Sequence, residues 1–208
     1  MRARFLTGVS CLAASFAVAA SVSTLAQRFS AEPRTVAVPP PEESQSRRVH
    51  GRVFLSPEQS AQTRDAASWP TEVRSLLSID RRLGFGEWVW NDRGVPAGRV
   101  AVRVDLAQQL ISVTRGGHEV GTAVVLYGSD DHATPSGRFP ILSKAVDHRS
   151  RAYDAPMPHT LWLTTDGVAL HGSSVRSGVA THGCIGLPPE FARRLFEQVK
   201  PGDQVLIV

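Results

Sequence analysis

The stretch from Arg99 to Tyr127, RVAVRVDLAQQLISVTRGGHEVGTAVVLY, decides the fold. Its hydrophobic period is two: Val100, Val102 and Val104 alternate with other residues, so their side chains share one face of an extended chain. Leu110 to Thr114 is rich in β-branched residues, which suit a pleated surface. Gly116-Gly117 supplies the positive φ angles of a tight hairpin turn, and Val120 to Tyr127 resumes as a strand. A meander is expected, opening a domain that runs from residue 99 to residue 208.

Toward the C-terminus, Thr134-Pro135-Ser136-Gly137 reads as a turn into Phe139-Pro140-Ile141-Leu142. Leu161 to Thr164 and Val168 to Leu170, joined through Thr165-Asp166-Gly167, form an expected hairpin that delivers His171 at a strand end. Pro188-Pro189-Glu190 opens a helix with Phe191, Leu195 and Val199 along one face and Phe196 beside them. Gly202 turns the chain into a closing strand, Val205 to Val208. The fold class expected is mainly β with a few helices.

Toward the N-terminus, Trp88 and Trp90 read as a strand that anchors the preceding segment to the core, with a sugar-stacking platform as the alternative. Residues 68–98 are expected as a helical prelude. Pro70 would open its helix, Val73, Leu76 and Leu77 would share a face, and Gly84 and Gly86 would stop it. Residues 27–67 read as a Pro-rich flexible tether, since Pro33, Pro39, Pro40 and Pro41 stand among charged and polar residues with little apolar material. Residues 1–26 read as a secretory signal: Arg2 and Arg4, an apolar run from Phe5 to about Val22, then Thr24-Leu25-Ala26 before Gln27. An uncleaved anchor is the alternative, although the run is at the short end of the roughly 17–25 residues that a membrane helix needs. Export to a periplasm or cell-wall face is the expectation.

With 42% hydrophobic residues in 208, the chain can bury a core, which excludes a wholly disordered or fibrous protein. Lys and Arg number 23 against 19 Asp and Glu, and two of the arginines lie in the leader, so the charge gives no argument for a nucleic-acid partner. Cys11 would leave with the leader, which makes Cys184 the sole thiol of an exported protein. Either it packs as a small hydrophobe or it does chemistry.

The densest group of reactive residues is His171-Gly172-Ser173-Ser174 followed by Thr181-His182-Gly183-Cys184-Ile185. A cysteine nucleophile needs a base to make thiolate, a group to orient that base, and backbone donors where an oxyanion will form. His171 is the candidate base, because imidazole exchanges protons near neutral pH. Gly183 permits close backbone approach, and the amides around positions 183 and 184 are candidate oxyanion donors. A zinc site on His159, His171, His182 and Cys184 is the chemical rival. Its spacing argues against it, since structural zinc loops show two short ligand pairs and here only His182 and Cys184 are close. No metal or organic cofactor is expected. His118, His132 and His148 read as surface or loop histidines.

These residues, with thirteen positions from His171 to Cys184, resemble the active-site signature of the L,D-transpeptidase catalytic domain, also called the YkuD domain. The meander, Thr134 to Phe139, and Met157-Pro158 resemble the same domain in the same order, from about Arg99 to Val208. The resemblance implies a β-sandwich-like fold in which Cys184 forms an acyl-enzyme and His171 is the base. It further implies that the Gly172 carbonyl orients the imidazole and that His182 and Gly183 complete the site. Ser173, Thr181, Met157 and Arg176 are the substrate-binding candidates. The implied reaction is attack of a Cys184 thiolate on the carbonyl of the third residue of a peptidoglycan stem peptide, a diamino acid, with loss of terminal D-alanine. The thioester then passes to an amine, from a second stem or a wall-attached protein, or to water. An L,D-carboxypeptidase and a non-catalytic peptidoglycan-binding module are the alternatives, and a monomer is expected. The chain departs from the family at Gly186, where an arginine is usual. The loop after Cys184 is therefore expected to be less restrained, with Arg176 as the candidate replacement cation.

Overall fold

The computed structural model describes residues 48–49, 51–65 and 68–208. The expected signal peptide, and the expected tether as far as residue 47, lie outside the described residues. In chain order the elements are β1 (Arg48–Val49), β2 (Arg52–Phe54), α1 (Pro57–Asp65), β3 (Ser75–Leu77), β4 (Trp88–Trp90), β5 (Val100–Asp105), β6 (Leu110–Arg115) and β7 (His118–Val124). There follow β8 (Gly137–Pro140), β9 (Ser143–Ala145), β10 (Thr160–Trp162), β11 (Ala169–Gly172), β12 (Ile185–Leu187), α2 (Pro189–Gln198) and β13 (Gln204–Ile207). The described residues are thus mainly β with two α-helices.

The meander forms as its pattern dictates. β5 pairs antiparallel with β6, Val102 facing Val113, and β6 pairs antiparallel with β7. Gly116 and Gly117 turn between them at φ 58° and 84°. The closing strand β13 lies inside the sheet, parallel to β5 and antiparallel to β8. A second sheet runs in the order β12, β11, β10, β9, with β10 and β11 joined as the expected hairpin. Apolar side chains of both sheets meet in one core: Val102, Ile111 and Val205 from the first, Leu161, Leu170 and Ile185 from the second. Helix α2 begins at Pro189 and adds Phe191, Ala192 and Leu195 to that core. Trp88 and Trp90 sit on β4, paired with β7, and place their rings edge-on to Phe191 at 6.3 and 5.4 Å.

The segment before residue 99 corrects two expectations. No helix spans residues 68–83, because Ser75–Leu77 is a strand that continues the sheet from β2 to β7, with Ser75 and Leu77 buried. Pairing with an available sheet edge overrides the local helical spacing of Val73, Leu76 and Leu77. The helix lies earlier, at Pro57–Asp65, and with β1 and β2 it occupies the span from residue 48 that was expected as tether. Its start is a capping box. Gln59 N–H donates to Ser56 Oγ at 3.2 Å, Ser56 N–H donates to Gln59 Oε1 at 2.9 Å, and Pro57 follows the cap.

This segment is fastened to the sheet by buried polar groups. Arg52, 3% exposed, donates to the main-chain carbonyls of Glu119 and Asn91. The Glu119 carboxylate accepts the Leu77 N–H at 2.8 Å, and burial pushes its pKa up against the pull of Leu77, Ser112 and Arg52. Arg52→Ala leaves these main-chain carbonyls without their donor and should cost about 1–3 kcal/mol in urea unfolding, the range for a buried group left unsatisfied. Arg81→Ala removes an exposed pair with Glu87 and should leave the urea midpoint almost unchanged.

Candidate active site

β11 and β12 run parallel, with Leu170 opposite Ile185 and His171 opposite Gly186. Alternation along both strands puts the His171 side chain on the face toward which Cys184, just before β12, also points. His171, Ser173 and Cys184 accordingly line one cavity of about 950 Å³, together with Met157, Thr181, His182 and Gly183.

His171 is 8% exposed, and its Nδ1 lies 2.9 Å from the Gly172 carbonyl oxygen. A carbonyl only accepts, so Nδ1 carries a proton, and in the neutral ring the lone pair is left on Nε2. Gly172 is close-packed: an added Cβ would stand 3.0 Å from Pro158 Cγ and 3.2 Å from the Pro158 oxygen. Burial pushes the His171 pKa down, more than the Gly172 contact raises it, with His148 lowering it further. The Cys184 thiol reaches the Gly167 carbonyl at 3.5 Å, and burial pushes its pKa up despite the Ala169 N–H, which favours the anion. Both shifts favour neutral forms. In the cavity that they share, burial thus works against both a thiolate at Cys184 and an imidazolium at His171.

The turn that carries Gly183 and Cys184 is held by two threonines. Gly183 sits at φ 102°, which L side chains rarely adopt, and its carbonyl accepts from Thr134 Oγ1 at 3.0 Å. Thr134 Oγ1 in turn accepts the Gly128 N–H at 2.9 Å, and Thr181 Oγ1 donates to the Cys184 carbonyl. Thr181 therefore braces the turn as well as lining the cavity. Thr134 was missed in the sequence because its place opposite Gly183, forty-nine residues away, exists only in the fold.

His182 is exposed, stacks on Tyr153 at 4.0 Å with 19° between the rings, and meets His132 edge-on at 5.0 Å. His132 and His148, read as surface or loop histidines, do lie in connections between strands, with His132 exposed, and both line the cavity. His118 is half-buried and bonded through Nδ1 to Ser75 Oγ at 2.9 Å, away from the cavity. His159 packs edge-on to Phe196 and does not line the cavity. Arg176 is exposed and lies outside the cavity lining. Gly186 is not in a loosened loop. It lies on β12 and exchanges two 2.9 Å hydrogen bonds with Leu126, and a Cβ there would stand 3.1 Å from Ser173 Cβ and 3.3 Å from Leu126 Cβ.

The family model of the L,D-transpeptidase catalytic domain matches residues 99–207. The chain belongs to this family. A solved L,D-transpeptidase from Stackebrandtia nassauensis is 27% identical, with a TM-score of 0.50 over 54% of this chain and 57% of that one. Mycobacterium tuberculosis L,D-transpeptidase 1 is 26% identical, with a TM-score of 0.46 over 52% of this chain and 60% of that one. An L,D-transpeptidase from Mycobacterium smegmatis is 20% identical, with a TM-score of 0.49 over 76% of this chain and 89% of that one. The chain spans less than two thirds of the length of the first two. No curated protein sequence matches it.

Two outcomes follow for this L,D-transpeptidase domain. Alkylation of Cys184 by iodoacetamide should climb with pH through about pH 9, with no plateau between about pH 5 and 8; a plateau there marks a preformed thiolate. Thr134→Val strips partners from Gly128 N–H and Gly183 C=O, so it should cost about 1–3 kcal/mol in urea unfolding and slow the alkylation.

Proposed function

We propose that the protein is an exported, cell-wall-facing L,D-transpeptidase in which Cys184 is the nucleophile and His171 the general base, acting on peptidoglycan stem peptides. The observation that carries this reading is a buried imidazole, locked through Nδ1 on the Gly172 carbonyl, in the same cavity as the chain's only described cysteine. Family membership supports the reaction class, and export rests on the sequence of residues 1–26.

In the proposed cycle the Sγ–H proton moves to His171 Nε2 as sulfur bonds to the carbonyl carbon of the third stem residue. Neutral partners suit this step: the base keeps its lone pair at neutral pH, and the thiol ionises only as it attacks. The amides around Gly183 and Cys184 are the proposed donors to the oxyanion, with the threonine bonds holding the turn in place. Collapse breaks the peptide C–N bond, and the departing amine of the terminal residue takes the proton from the imidazolium. An acceptor amine then loses its proton to Nε2 as it bonds to the thioester carbon, and sulfur regains a proton as it leaves. Water in place of the amine gives trimming.

The test is incubation of the full chain with purified muropeptides, read by mass. Cross-linked dimer, or tripeptide from trimming, is expected from the wild type, and neither from folded Cys184→Ala. His171→Ala should lose at least about a hundredfold, the scale of general-base catalysis. Imipenem should add its mass to the wild type and not to Cys184→Ala. Turnover that persists in folded Cys184→Ala sinks the nucleophile assignment, and binding without any turnover favours a wall-binding module.

A further inference from the structure

We propose that Arg151 is the anion-binding residue of the cavity and grips a carboxylate of the peptide donor. The proposal rests on the transpeptidase reading and names the part of the donor that the site holds.

Residues 146–159 fold back as a hairpin beside the cavity. His159 N–H donates to the Val146 carbonyl at 2.7 Å, Met157 N–H to the His148 carbonyl at 2.8 Å, and Ser150 N–H to the Ala155 carbonyl at 2.9 Å. The tip, with Ser150, Arg151, Ala152 and Tyr153, lines the cavity. The Tyr153 ring stacked on His182 ties the tip to the turn that carries Gly183 and Cys184. Arg149, two residues before Arg151, is engaged by Asp154 at 2.6 Å. Arg151 makes no ion pair or hydrogen bond among the described residues. The tip is thus shaped by Arg149 and latched by Tyr153, while the Arg151 guanidinium stays available to a ligand.

Arg151 is also the sole Lys or Arg among the described residues that line this cavity, against one carboxylate, Asp166. The other sources of a cation are closed. Gly186 is packed against Ser173 and Leu126 too tightly for a side chain, and Arg176 lies outside the lining. The chemistry of the donor calls for such a group. A peptide that loses its C-terminal residue by attack at the preceding carbonyl brings a free carboxylate one residue from the reacting carbon. A diamino acid at the third position can bring a second. The planar guanidinium fork matches a carboxylate with two parallel hydrogen bonds, which a lysine or a neutral histidine does not.

The test uses three tetrapeptide stems: one with free carboxylates, one with a C-terminal carboxamide, and one amidated on the carboxylate of the third residue. Binding to full-length Cys184→Ala is measured by calorimetry, so that chemistry does not enter. One of the two amidated stems should bind about tenfold more weakly than the free stem, which identifies the carboxylate concerned. Adding Arg151→Ala should erase that difference, and Arg151→Lys should keep part of it. Arg149→Ala, which disturbs the tip as a whole, should weaken all three stems alike. The assignment is overturned if Arg151→Ala weakens the three stems by one common factor or weakens none. If the expected discrimination is found and the wild type turns over no stem, the transfer reading fails while the Arg151 assignment stands.

Discussion

The parallel pairing of β11 with β12 is the constraint on which the site depends. Two parallel neighbours cannot be joined by a tight turn, so the chain from Ser173 to Cys184 must leave the sheet and return, a crossover of about a dozen residues. The return delivers Cys184 at the entrance to β12, one strand away from His171 on β11. The register then decides the geometry. With His171 opposite Gly186, Cys184 falls on the same face of the sheet as His171, and a shift of one residue would turn one of them into the core. Everything else near the site serves this pairing: Leu126 clasps Gly186, Thr134 and Thr181 fix the turn, and Pro158 presses on Gly172.

Burial sets the electrostatic character of the pair. Desolvation disfavours the charged form of each group, so it acts in opposite directions on an acid and on a base: the thiol becomes a weaker acid and the imidazole a weaker base. The Gly172 carbonyl and the Ala169 amide oppose this and are outweighed. Both directions favour a protonated sulfur and an unprotonated imidazole. A smaller thiolate fraction limits the reactivity of Cys184 toward oxidants, which attack thiolates.

Outside the site, the N-terminal segment answers a different need. The edge of β7 would present unpaired amides and carbonyls, and β3 and β4 share the covering of that edge. Arg52 reaches through to carbonyls of Glu119 and Asn91, which ties the added strands to the meander with directional contacts in place of a large apolar face. This explains why residues with so little hydrophobic periodicity are nevertheless ordered against the sheet.

Local pattern determined a good part of this protein. The alternation of Val100, Val102 and Val104, the Gly116-Gly117 turn, the hairpin leading to His171 and the Pro189 helix were all legible, because each rests on neighbours within a few residues. His171 and Cys184 also stood out as candidates, because both lie in short motifs rich in glycine, and the fold brings the two to one cavity. The capping box at Ser56 and Gln59 was equally local and marked a helix that the composition of the surrounding segment concealed. What only the tertiary structure decided are relations between distant residues: β13 between β5 and β8, Ser75–Leu77 as a strand, Thr134 beneath Gly183, Tyr153 on His182, and the packing that closes position 186. The protonation of the pair belongs there too. An isolated histidine and cysteine titrate near their ordinary values, and it is the burial of both in one cavity that moves them apart, a property of the assembled fold that no stretch of the chain carries alone.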